Sequence, residues 1–157
     1  MQSMLKWPDS GIDILDFDLG LHSFAIKTNL PLAQRLFDQG LNWCFGFNQE
    51  EGLACFKRAA KHDPDCAMLY WGMAYAAGPF YNMPWIDFSE VEATECTAYC
   101  HKQIETALRL SDGAAPLERA LIAALAQRIQ KSCIVPMAEF DLWDDAYANA
   151  MRSIYQE

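Results

Sequence analysis

Two glycines, Gly40 and Gly52, constrain this chain more than any other feature. They lie in the segment AQRLFDQGLNWCFGFNQEEGLACFKRAAKHDP, which starts at Ala33. With Ala33 as the first position of a unit of about 34 residues, Leu36, Gly40 and Trp43 take positions 4, 8 and 11. Gly52, Phe56, Ala59 and Pro64 then take positions 20, 24, 27 and 32. The spacing predicts two helices folded back on each other, with position 8 of the first meeting position 20 of the second. Two helix backbones approach closely only where both side chains are small. Each glycine costs its helix up to about 1 kcal/mol relative to alanine, so close packing must offset that loss. Trp43 and Phe56 fill the space on either side, and Pro64 ends the unit because a helix does not continue easily through it.

The same period restarts at Ala67, with Tyr70, Met73 and Ala74 at positions 4, 7 and 8. It then breaks at GPFYNMPWIDF, residues 78–88, a stretch too rich in Pro, Gly and aromatics for helix. Ser89 with Glu92 reads as a capping box, from which a helix runs to about residue 110 with Cys100, Ile104 and Ala107 at positions 20, 24 and 27. That placement makes residues 78–88 part of an insertion of about 14 residues. A third unit is degenerate: an amphipathic helix over residues 116–130, a loop over 132–136, and a helix from about Phe140 to Tyr155. Residues 1–28 show no repeat. Their apolar residues partly alternate, which predicts an extended segment packed on the first helices. The expected fold is therefore all-α, an α/α superhelix of about six helices in residues 29–157, with units at 33–66, 67–114 and 115–157.

This pattern resembles the tetratricopeptide repeat (TPR). The blocks AQRLFDQGLNWCFGF, DPDCAMLYWG, GPFYNMPW and DAYANAM further resemble one group of TPR-like proteins that carries a loop after the second unit's first helix. The resemblance implies a repeat protein, either a truncated member or the N-terminal portion of a longer array. The group's pattern has histidine and alanine where this chain has Gln49 and Gly52, so an activity dependent on that histidine is not expected here.

Composition narrows the function. A net charge of -9 and the lack of any Lys/Arg cluster argue against nucleic acid and favour basic or apolar partners. No apolar run is long enough to span a bilayer and none resembles a secretion signal, so a cytoplasmic protein is expected. The six cysteines fall mostly in helical patterns and read as reduced small hydrophobes.

In repeats of this kind, positions 2, 5, 9 and 12 of each first helix face a concave groove. These are Gln34, Phe37, Leu41 and Cys44, then Met68, Trp71, Tyr75 and Gly78. None is basic or Asn, which argues against a carboxylate clamp. The aromatic face of Phe37, Leu41, Trp71 and Tyr75 instead suits an apolar peptide or helix, unless residues 1–28 or a further repeat downstream cover it. The loop residues Phe80, Tyr81, Asn82 and Trp85, with Asn48 in the first turn, form a second candidate surface; the alternative is a lid folded into the core. A metal site from Cys96, Cys100 and His101 is not expected, because His101 lies about 100° round the helix from Cys100. Glu50/Glu51 and Asp144/Asp145 are adjacent and diverge on a helix, and no phosphate loop or nucleophile elbow is present. The expectation is a protein-binding scaffold or adaptor with no cofactor and no catalytic residues. The alternative is a metal-dependent or accessory enzyme activity centred on residues 48–51 and 80–85. A homodimer through the unfinished third unit would bury Trp143, Tyr147 and Ile154.

Overall fold

The computed structural model describes residues 17–156, and among them it is all-helical. There are six helices: α1 (Pro31–Phe45), α2 (Gln49–His62), α3 (Ala67–Ala77), α4 (Glu90–Leu110), α5 (Pro116–Arg128) and α6 (Met137–Gln156). Of the segment expected over residues 1–28, residues 1–16 lie outside the described residues.

Local chemistry explains most of the boundaries. Pro31 and Pro116 open α1 and α5, where a missing N–H costs nothing and a fixed φ suits the first turn. The Asn48 side chain caps α2 by accepting from the Glu51 N–H at 3.3 Å. Acidic Glu50 and Glu51 at its start and Lys61 and His62 at its end complement the helix dipole. At α4 the capping box forms: the Glu92 N–H donates to Ser89 Oγ, and the Ser89 N–H donates to Glu92 Oε2. The last two helices depart slightly from the sequence pattern. α5 ends at Arg128 rather than residue 130, and α6 starts at Met137, directly after Pro136, rather than at Phe140.

Consecutive helices pair as antiparallel hairpins. In the first, a Cβ on Gly52 would lie 3.0 Å from the Gly40 carbonyl oxygen of α1, which is the close approach the two glycines permit. In the second, the thiols of Cys96 and Cys100 on α4 lie 3.4 and 3.5 Å from the carbonyls of Ala77 and Ala74 on α3. The third pairs α5 with α6. Phe56 of α2 is fully buried, its ring wedged between Gly40 of α1 and Gly72 of α3, and this ties the first two hairpins together. The first helices of the three hairpins also touch in series. Phe37 packs on Trp71 with ring centroids 6.4 Å apart, and the Trp71 indole N–H donates to the Leu121 carbonyl at 3.2 Å. α3 sits at the centre of this arrangement, which is why it is apolar on all sides.

The 78–88 segment is non-helical apart from one 3-10 turn, Trp85–Asp87. Trp85 stacks on Phe140 of α6, with centroids 4.1 Å apart and planes at 18°, so the segment's second half is pinned to the third hairpin.

Candidate binding site

The residues expected to line a concave groove are interior. Phe37 is fully buried, Leu41 is buried, and Trp71 is 8% exposed. Two neighbours cover them. α5 lies over Trp71, and residues 22–28 run along α1, placing Phe24 against Phe37 with centroids 6.4 Å apart. Only Tyr75 reaches an open surface, at the far end of α3 from the covered face. The loop residues divide in the same way. Trp85 is 4% exposed and belongs to the core, Phe80 is half-buried, and Asn82 and Tyr81 are exposed, Tyr81 at 88%. Asn48 is occupied as a helix cap. Trp143, expected on a free face of α6, is already buried against Phe140 within the chain, leaving Tyr147 and Ile154 half-buried.

What remains open is a depression of about 360 Å3 at the turn end of the hairpins. Its rim comes from the α1–α2 turn and the 78–88 segment, its floor from α3, α5 and α6. Phe45 at the end of α1 and Phe47 in the turn are 54% and 58% exposed. Phe47 packs on Tyr81 at the rim, with centroids 6.5 Å apart. Phe47 also has a φ of +62°, the left-handed region that a bulky side chain avoids. Holding it there costs of order 1–3 kcal/mol, while the adjacent Gly46 keeps a negative φ.

Arg128 organises the floor. Its Nε donates to Asp144 Oδ1 on α6 and its Nη1 to the Pro79 carbonyl, both at 2.8 Å, so one side chain ties α5, α6 and the inserted segment together. Its guanidinium lies over the Tyr147 ring, 5.3 Å from the centroid. Its other N–H groups have no hydrogen-bond acceptor among the described residues. Tyr75 lies parallel to Trp71 at 5.1 Å. Burial, with the neighbouring Cys44 and Tyr147, pushes its hydroxyl up to about 12, so it is a neutral donor at physiological pH. Gln49 donates to the Cys44 carbonyl, and its buried Oε1 has no partner.

No protein-family model, curated protein or solved structure matches this chain. The site is therefore interpreted on its own chemistry. It offers aromatic walls, a neutral hydroxyl and guanidinium N–H groups as donors, and one amide oxygen as an acceptor. Such a set fits an apolar side chain together with the main-chain amide that carries it.

Chemistry elsewhere is sparse. Among the described residues no group of three or more His, Cys, Asp or Glu could hold a metal. Cys96 and Cys100 lie 3.9 Å apart in the core, while His101 turns away toward Glu105. All six thiols are free, and only Cys133 is exposed. No helix of the described residues is long and apolar enough to cross a membrane. A larger hollow, about 470 Å3, lies between residues 17–23 and α1. It borders Phe17, the first described residue.

The sequence pointed to Phe80, Tyr81 and Tyr75, and to Tyr147 only as part of a dimer face; it missed Phe45, Phe47 and Arg128. An available signal was the F-G-F triplet at the end of α1, which sets one aromatic on the last helical residue and the other in the turn. Arg128, the last residue of a helix of otherwise mainly apolar pattern, was another.

Proposed function

We propose that this chain is a cytoplasmic protein-binding adaptor, a stack of TPR-like helical hairpins that receives an apolar segment of a partner protein. The binding site is the aromatic depression at the turn end. The observation that carries this reading is the pair Phe47 and Tyr81. Two large aromatics stand exposed and packed on each other at the rim of a preformed hollow, one of them on a strained backbone. Strain of that kind persists where the surroundings enforce it and is concentrated at ligand sites. Buried aromatic anchors carry most of the energy in protein interfaces, and both residues are available to become buried. The net charge of -9 favours a partner segment flanked by Lys or Arg. Arg128 is already paired with Asp144, so the floor is close to neutral and selects an amide over a carboxylate.

A cellulose-bound peptide array probed with the wild-type chain and with a Phe47→Ala/Tyr81→Ala variant tests this reading. Retained peptides should share a bulky apolar residue with basic flanks, and the variant should lose them. Retention of the same peptides by the variant would place binding elsewhere, and no selective retention would remove the proposal.

A further inference from the structure

Residues 22–28 are held against the helices in the way a groove holds a bound peptide. Their main chain bonds to side chains rather than to another strand. Asn42 Nδ2 donates to the His22 carbonyl at 3.1 Å, and the Phe24 N–H donates to Asp38 Oδ1 at 3.0 Å. Gln34 reads one stretch of backbone twice. Its Nε2 donates to the Phe24 carbonyl and its Oε1 accepts from the Ile26 N–H, both at 2.9 Å. The Lys27 N–H donates to Glu118 of α5, on the other side of the groove. Side chains alternate: Phe24 and Ile26 point inward, Ala25 and Lys27 outward. Main-chain bonds that ignore sequence, with sites for alternate side chains, are the logic of extended-peptide recognition.

Glu118 is one of the groups that hold the segment. It is 2% exposed, and its two oxygens accept from the Lys27 and Ala115 N–H groups. With residues 22–28 withdrawn, one carboxylate oxygen would exchange this donor for water. A peptide that replaces the segment restores the bond by bringing an N–H to the same point. Asp38, Asp63 and Glu118 all bond the segment, so the groove is also acidic.

We propose that residues 22–28 are a built-in ligand, filling in cis a groove that takes a partner peptide of the same pattern in trans. That peptide is extended, carries large apolar residues two positions apart, has a basic residue next, and has no proline at the positions matching Phe24, Ile26 or Lys27. The proposal rests on the reading of the chain as a binding module, but on a different surface from the aromatic depression.

The test is made on the full chain with a specific protease site inserted between Thr28 and Pro31. After cleavage the helices should keep their circular dichroism, with the N-terminal fragment still bound. A fluorescein-labelled LHSFAIKTN peptide should then displace that fragment at one per chain. Binding should fall at least tenfold when both apolar positions of the peptide become Ser, or when proline replaces its lysine. Gln34→Leu in the cleaved chain should weaken binding by about tenfold through loss of two hydrogen bonds. Loss of helix on cleavage would make the segment an integral part of the core and overturn the proposal. Departure of the fragment with no peptide uptake would overturn it too, as would equal binding by the uncut chain. A dimer of the uncut chain that falls apart on cleavage would put a second copy in the groove and exclude the partner peptide. Every one of these results is independent of Phe47 and Tyr81, so failure here leaves the aromatic depression standing.

Discussion

Gly72→Ala is the most direct probe of how the first two hairpins are joined. A Cβ at Gly72 would lie 2.6 Å from Cδ1 of Phe56 and 2.8 Å from its Cε1 and Cγ. The ring has little room to retreat, because it lies close over the backbone of Gly40, where an added Cβ would be 2.6 Å from it, and Phe37 packs on it with centroids 5.4 Å apart. Cγ is the rigid root of the ring, so a rotamer change does not relieve the clash. Overpacking of this kind costs about 1–3 kcal/mol, against a gain of up to about 1 kcal/mol in helix propensity. The net expectation is a loss of about 1–2 kcal/mol, or a fall in Tm of about 2–8 °C for a chain of this length. Thermal and urea unfolding followed by circular dichroism measure it. Gly40→Ala should behave likewise, and the double variant should lose more than the sum, because the two changes press the same ring from opposite sides. Gly113→Ala is the control: nothing lies within 4 Å of that Cβ, and stability should change by less than about 0.5 kcal/mol. A rise in Tm for Gly72→Ala would mean that the ring has room, and the account of the joint between hairpins would be wrong.

Within the inserted segment, Trp85→Ala should cost about 3–5 kcal/mol, while Tyr81→Ala, four residues earlier, should leave stability within about 0.5 kcal/mol. Equal effects in denaturant unfolding would contradict the division of this loop into a buried and an exposed half. Burial pushes the thiols of Cys44 and Cys55 up to about 12 and that of Cys66 up to about 11, whereas Cys133 is exposed. Dithionitrobenzoate near neutral pH should therefore modify one thiol per native chain and all six after denaturation; several fast native thiols would count against the packing. The Glu92 carboxyl is held below its usual range by the Ser89 hydroxyl and N–H. Its contribution to α4 is fully present above the unfolded carboxyl value of about 4.3 and is lost as pH falls through the lower folded value. Amide protection factors at residues 89–93, taken relative to the intrinsic exchange rate at each pH, should fall over that acidic window, and Glu92→Gln should remove that fall.

How far the sequence anticipated the structure differs from element to element. The first hairpin was legible because two glycines at a helix crossing leave few alternatives, and the start of α4 because Ser89 and Glu92 satisfy each other locally. The interior position of Phe37 and Trp71 was not legible. It depends on the path of residues 22–28 and on α5, brought together by Gln34, Asp38 and Glu118 over up to 91 residues of chain. A polar residue on a helical pattern gives no sign that it will grip a distant main chain. Trp85 and Tyr81 are indistinguishable in sequence for a similar reason, since only Phe140 decides which of them is buried. Phe47 lay hidden in the opposite way. Its turn was recognised, but turn chemistry favours a left-handed glycine, and here the neighbouring phenylalanine takes that conformation instead.

The most direct test of the central claim is a fluorescence-anisotropy titration of the strongest array peptide against three proteins side by side. These are the wild-type chain, Phe47→Ala/Tyr81→Ala and Gln34→Leu. Recognition at the aromatic depression predicts at least a tenfold loss for the first variant and an unchanged Kd for the second, with both variants folded by circular dichroism. An unchanged Kd for Phe47→Ala/Tyr81→Ala, with binding altered only by Gln34→Leu, would contradict the account and move recognition to the groove that residues 22–28 now fill.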